Sequence, residues 1–344
     1  MLITVIATIF VIGLLVFFHE FGHFATAKAT GMGVHEFAIG FGPKLISKKY
    51  GDTVYSLRII PLGGFNKIAG MDPDEEQDDK SFNSKPIWAR MVVIFAGSFM
   101  NFVLPVLLIL LVISISGIDT PSDQAVIGTA IAGQPAANSG LMSGDRILEV
   151  NGTKIQTWTE MVKTIRTNDD APLVINYERG GQYGTATIVP EYNQNTNYRV
   201  IGVVPIINNY QPGPIEAIGL AIKQTYLWAA AILEGLRDMF IGRAPAEVAG
   251  PIGVAKIVGE VAQMGILPLL KIAAFLSINI GLLNLLPVPA LDGGHIVTLA
   301  VEAVRRKPLS PEKLQFVQMI GLALLVMLFI FATFKDVTRI FMGK

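Results

Sequence analysis

Two histidines and a glutamate carry the first chemistry legible in this chain. They lie in His19-Glu20-Phe21-Gly22-His23, a His-Glu-x-x-His run. On a helix, residues four apart share a face, so both imidazoles can reach one metal ion. Glu20 falls on the adjoining face, placed to take a proton from water that the metal acidifies. The alternative reading is a pair of histidines that merely marks the headgroup end of a membrane helix. The chain holds no cysteine, which excludes disulfides and thiolate sites, so a metal must be held by histidine and carboxylate. A hydrolytic zinc site needs three protein ligands and one open position. Asp292 is the natural third ligand, in Asn284-Leu-Leu-Pro287-Val-Pro289-Ala-Leu291-Asp292-Gly293-Gly294-His295. His295 competes for that place.

The elements that must position these groups are membrane helices. Of 344 residues, 51% are hydrophobic and 16% charged, where soluble domains carry about 25% charged residues. Basic and acidic residues balance at 27 each, which gives no footing for nucleic acid. Met1 to Phe18 is uncharged, and its helix is expected to run to about Ala29. No Lys or Arg precedes it and no small-x-small pattern follows it, so it reads as a retained span and not as a signal peptide. Met91–Ser116, Ile272–Leu291 and Leu314–Phe334 are the second, third and fourth uncharged spans. Pro287 and Pro289 break the third, which fits a site lining a cavity. Ala217–Leu233 is apolar but broken by Lys223. If it crossed, Asp292 would lie on the opposite face from His19, about 30 Å away, so it is read as a surface segment.

Between the first two spans, Gly31 to Phe65 alternates glycine turns with β-like runs and predicts a glycine-rich hairpin or small sheet. A transmembrane helix hides its peptide groups, so a protease must unwind it, and an edge strand near the metal could hold the unwound segment by strand addition. Alternate residues of the run Val54–Ile60, namely Tyr55, Leu57 and Ile59, are the candidates for that contact. Met71–Lys80 is acidic and reads as a solvated loop. Asp119 to Pro205 is polar and strand-rich. Its run from Ala136 to Gly152, Ala-x-x-x-Gly-Leu-x-x-Gly-Asp-x-Ile-x-x-Val-Asn-Gly, resembles a PDZ domain of the circularly permuted bacterial type, which implies peptide or chain-terminus binding at a sheet edge. Residues 24–90 hold nine Lys/Arg and the long region 117–265 ten against fourteen acids. The denser, shorter loops are expected in the cytosol, with the metal site near that face and the PDZ-like region outside.

Together the paired motifs resemble the site-2 protease family, bacterial intramembrane zinc metalloproteases, here with a single PDZ domain. The resemblance covers essentially the whole chain. It implies a multi-pass α-helical membrane protein with four transmembrane helices, a re-entrant β-hairpin and an inserted α+β PDZ domain. The implied segments are 1–30, 31–90, 91–116, 119–205, 206–264, 265–296, 297–313 and 314–344. It implies Zn2+ on His19, His23 and Asp292, Glu20 as catalytic base, and Asn284 with Pro287 and Pro289 at the substrate. Implied partners are single-pass membrane proteins already cut by a site-1 protease, such as anti-sigma factors, and some remnant signal peptides, in a bacterial inner membrane. One departure stands out: Gly97-Ser98-Phe99-Met100-Asn101 replaces the Gly-Pro-x-x-Asn common in the second span. A different class of function, a membrane scaffold with a structural metal, has no task for Glu20.

Overall fold

The computed structural model describes the chain except residues 72–74, 76, 168–171, 194–197, 244–249 and 343–344. It divides into two compact units, Met1–Ile115 with Gly213–Lys344, and Ser116–Pro212. The acidic stretch Met71–Lys80 falls partly on 72–74 and 76, outside the described residues.

The first unit opens with α1 (Leu2–Ala29), whose buried residues Ala7, Val11, Leu15, Gly22 and His23 form one narrow stripe. The other faces are apolar and exposed, the pattern of a helix solvated by lipid. After it come β1 (Val34–Tyr50), β2 (Thr53–Ile68) and α2 (Ile87–Ser116). The two strands pair in more than one register. Tyr50↔Thr53 to Ile46↔Leu57 is antiparallel, as is Val34↔Ile68 to Ile39↔Gly64. Glu36↔Val54 to Ile39↔Leu57 instead rises together, so those stretches lie parallel. Each strand therefore doubles back, β1 near Gly42-Pro43 and β2 near Pro61. Four segments make one sheet in the order 64–68, 34–39, 54–57, 46–50. Glu36 stitches it: its carboxylate accepts from Ser56 Oγ at 2.6 Å, Arg58 Nη2 at 2.8 Å and Lys44 Nζ at 3.2 Å. Burial pushes the Glu36 carboxyl up, but these donors outweigh it and hold it below the usual carboxylate range.

The second unit is built from short strands and two helices: β3 (Ile118–Pro121), β4 (Ile127–Ala130), α3 (Pro135–Asn138), β5 (Arg146–Val150), β6 (Thr153–Lys154), α4 (Trp158–Arg166), β7 (Leu173–Arg179), β8 (Gln182–Ile188), β9 (Glu191–Asn193), β10 (Tyr198–Val200), β11 (Val203–Pro205) and β12 (Ile207–Tyr210). Four of them form a sheet in the order β6-β5-β7-β8, while β4 pairs with β11 and β3 with β12. Asn151 and Gly152 both take positive φ, 51° and 80°, which makes the tight β5–β6 turn. A capping box between Thr157 and Glu160 starts α4. Its buried face, Met161 and Ile165, joins Ile127, Ile147, Leu173, Ile175 and Ile188 in the core. Asp145 is fully buried and is gripped by Arg179 through Nε at 2.6 Å and Nη2 at 2.7 Å.

The chain then returns to the first unit as α5 (Pro214–Phe240), α6 (Pro251–Gln263), α7 (Ile266–Asn284), α8 (Asp292–Arg305) and α9 (Pro311–Met342). Among the described residues, four helices are long and apolar enough to cross a membrane: α1, α2, α7 and the Glu312–Arg339 part of α9. α5, which contains Ala217–Leu233, is not one of them. α6 packs along α1, with Gly259 against Thr4. Its N-terminus is held from α9, where the buried carboxylate of Asp336 accepts from Gly250 N at 3.0 Å and Gly253 N at 2.7 Å.

Candidate metal centre

α1 stays helical through its polar motif, so His19 and His23 do stack one turn apart. Their Nε2 atoms approach to 3.2 Å. Asp292 completes a triangle, with Oδ2 3.6 Å from His19 Nε2 and Oδ1 3.6 Å from His23 Nε2. A tetrahedral ion with bonds of about 2.0–2.1 Å sets its donor atoms about 3.3 Å apart. The triangle has that size, and its donors are two imidazoles and a carboxylate, the set suited to a catalytic zinc. His23 Nδ1 donates to Val93 O at 2.8 Å. With its proton there, the ring presents the Nε2 lone pair to the centre of the triangle.

Asp292 reaches the site because of the helix break before it. α7 ends at Asn284, and the turn through Pro287 and Pro289 carries Ala290 at φ 73°. Asp292 is then the first residue of α8. The two glycines after it are steric necessities: a Cβ on Gly293 would strike Leu286 O, and one on Gly294 would strike Val288 O. α8 lies antiparallel to α2 and is pinned at both ends. Ser98 Oγ donates to Asp292 Oδ2 at 2.8 Å, and Arg90 forks onto Glu302 with contacts of 2.6 and 3.1 Å. The spacing from 90 to 98 on one helix and from 292 to 302 on the other, about 12 and 15 Å at 1.5 Å per residue, suits such a double clamp. Where α2 meets α1, Gly97 lies flat on the His23 ring and Gly22 on the Ala96 carbonyl, with no room for a Cβ at either.

Glu20 sits beside the triangle and interacts electrostatically with His23 and Asp292. Its carboxylate Oε2 accepts from Asn66 Nδ2 at 2.7 Å. Asn66 belongs to the sheet segment 64–68, the outer strand nearest α1, and Gly64 in the same segment packs on Val16 and Glu20. Among the described residues no strand pairs with the far side of that segment. Tyr55, Leu57 and Ile59 lie elsewhere. The stretch 54–57 is paired on both sides, the Tyr55 ring packs on Phe24 and Phe37, and Leu57 and Ile59 point outward at 45% and 55% exposure. Asn284 is half-buried at the end of α7, and its amide has no hydrogen-bond partner among the described residues. His295 is not part of the triangle. It faces a cavity of about 680 Å³ shared with Arg90, Thr298 and Glu302.

Sequence reasoning did not find Ser98 or Asn66 as site residues. Ser98 had a signal, being the departure from Gly-Pro-x-x-Asn. Asn66 had only its polarity after Gly63-Gly64-Phe65.

A model of peptidase family M50 matches residues 7–328. The zinc metalloprotease RasP of Bacillus licheniformis is 33% identical, over 98% of this chain and 100% of that one. The regulator of sigma-W protease RasP of Bacillus subtilis is 32% identical, over 98% and 99%. Among solved structures, 26% of this chain aligns with 94% of the PDZ domain of the SdrC-like protein Lmo2051 of Listeria monocytogenes, at 22% identity and a TM-score of 0.23.

Proposed function

The chain belongs to peptidase family M50, and from that premise we propose that His19, His23 and Asp292 hold the zinc of an intramembrane endopeptidase in which Glu20 is the base. The protein is a zinc metalloprotease of the membrane. What carries the assignment of residues is the convergence of two Nε2 atoms, 3.2 Å apart, on one carboxylate, whose Oδ2 and Oδ1 lie 3.6 Å from His19 and His23 respectively. Zinc, when bound, supplies a Lewis acid that polarises the scissile carbonyl and acidifies water. The side chains do the rest. His23 is oriented through Val93 O. Glu20, aimed by Asn66, takes the proton from the attacking water and returns it to the leaving amine.

A transmembrane substrate must be held extended at this centre. The outer sheet segment 64–68 is the strand proposed to receive it, by main-chain pairing beside Glu20. Asn284, with the turn at Pro287 and Pro289, faces the same substrate. Tyr55, packed on Phe24 and Phe37, supports that edge from within the sheet. The sheet is proposed to be re-entrant. Phe41, Leu45, Ile46, Ile59 and Ile60 are exposed apolar residues around its bends, and Gly64 meets α1 at the level of Val16 and Glu20, within its helical length.

Residues 119–205 are proposed to be a PDZ domain that receives a peptide or chain end. The support is a groove of about 490 Å³ beside α4, lined by Trp158, Met161, Ile165, Val200 and Val203. The basic-residue bias puts this unit outside a bacterial plasma membrane and the metal near its cytosolic face. The proposed substrates are single-pass proteins already shortened by another protease, anti-sigma factors first and remnant signal peptides second. The test compares wild-type and Glu20→Gln protein, both full-length, on such a substrate. The variant is expected to keep its zinc and lose cleavage. A Glu20→Gln enzyme of undiminished activity would sink the assignment.

A further inference from the structure

α2 touches every member of the proposed ligand set. Val93 O accepts from His23 Nδ1. The Asn101 amide nitrogen lies 3.2 Å from His19 Nδ1. Ser98 Oγ donates to Asp292 Oδ2 at 2.8 Å. The third contact runs from a hydroxyl to a carboxylate and bears on the one acidic member of the set. A serine inside a helix commonly turns its hydroxyl back to a carbonyl of the preceding turn. Ser98 instead sends its proton across the helix interface, and it is fully buried, so no water competes.

The backbone of Asp292 is already fixed. Gly293 and Gly294 seat α8 on the turn before it, and the Arg90–Glu302 fork fixes the helix's far end. What remains soft is the rotation of the carboxylate itself, since the last torsion of an aspartate is broad and nearly two-fold. Without a partner, its oxygens would sample arcs relative to the two imidazoles. We propose that Ser98 is a positioning residue of the metal centre: its hydroxyl fixes the rotation of the Asp292 carboxylate and so raises zinc affinity. The proposal rests on the reading that His19, His23 and Asp292 hold the ion.

The test measures zinc retained by full-length protein in detergent against a graded chelator, for wild type, Ser98→Ala, Ser98→Thr, Asp292→Ala and the Ser98→Ala/Asp292→Ala double variant. Loss of a hydrogen bond behind a ligand weakens metal binding about 10- to 100-fold, and that drop is expected for Ser98→Ala. Ser98→Thr keeps the hydroxyl and restores affinity. In the Asp292→Ala background, removing the Ser98 hydroxyl costs nothing further, which a mere packing role would not produce. Thermal unfolding of the zinc-free protein is expected to be the same for Ser98→Ala and wild type. Wild-type affinity in Ser98→Ala, while Asp292→Ala loses zinc, overturns the role of Ser98 and leaves the ligand assignment standing. An equal loss from Ser98→Ala in both backgrounds also overturns it. Undiminished binding by Asp292→Ala removes the ligand assignment, and the role of Ser98 goes with it.

Discussion

Asn66 holds Glu20 at two points: its Nδ2 lies 2.7 Å from both the backbone carbonyl oxygen and Oε2 of Glu20. The donor belongs to the outer sheet segment and the acceptor to the helix that bears the histidines. Whatever settles on that segment is thereby referenced to the proposed base. Asn66→Leu removes the donor while keeping side-chain bulk. It is expected to lower kcat about 10- to 100-fold through misplacement of the carboxylate, with zinc content unchanged. Steady-state kinetics on a transmembrane peptide together with metal analysis check this, and unchanged kcat would show that Glu20 needs no help from the sheet.

Gly97 has the His23 imidazole where its side chain would be. Gly97→Ala must therefore push the ring off Val93 O or push α2 off α1. Either movement dismantles the triangle. The expected result is loss of zinc in a chain that still inserts in the membrane, measured by metal content of the purified protein. An alanine variant with full zinc would mean the two helices separate at little cost.

The Asp145–Arg179 pair makes a stability prediction for the second unit. Asp145 is fully buried, and Met142 N supplies its other bond at 2.8 Å. Arg179→Ala leaves a buried carboxylate without its cation. Because Arg179 is itself 39% exposed, solvent screens the pair and the cost is put below that of a fully buried one. Hydrogen exchange in β5 and β7 should speed up accordingly, and unchanged protection would rule the pair out as a stabiliser.

Acid should loosen the folded sheet. The Glu36 carboxyl is held below its ordinary value by Ser56, Arg58 and Lys44 against the opposing effect of burial. A lowered folded value means that this contribution is complete above the unfolded carboxylate range, about pH 4.5, and is lost as pH falls through the folded value. Protection factors at Ser56 and Leu57, taken relative to intrinsic exchange at each pH, are expected to fall on acidification in wild type, and to be low and less pH-sensitive in Glu36→Gln. Parallel profiles in the two proteins would remove Glu36 as the cause.

Much of the centre was legible because it is local. His19, Glu20 and His23 are related by one helical turn, and Asp292 stands at a break that two prolines announce. The run Val54–Ile60 was legible as strand for the same reason. What it neighbours was not. A bend at Gly42-Pro43 and another near Pro61 convert two strands into four segments, and only the resulting long-range pairing reveals that 54–57 is interior while 64–68 is the edge. Asn66 was hidden by the same physics, since it acts on a residue far away in sequence and no periodicity gives it away. Ser98 was marked as a departure, but its partner Asp292, far along the chain, was not. The end of the third span shifted too: α7 stops at Asn284, before the prolines, so 285–291 forms the turn that aims Asp292.

The proposed ligands lie far apart in the chain, and biosynthesis inherits a consequence. His19 and His23 leave the ribosome with α1, while Asp292 emerges only after α7. Until then the nascent chain offers a metal only two imidazoles, too few for a firm site. On the proposed assignment, the nascent enzyme stays inert while it shares the insertion machinery with other newly made membrane segments, and its hydrolytic power waits for Asp292.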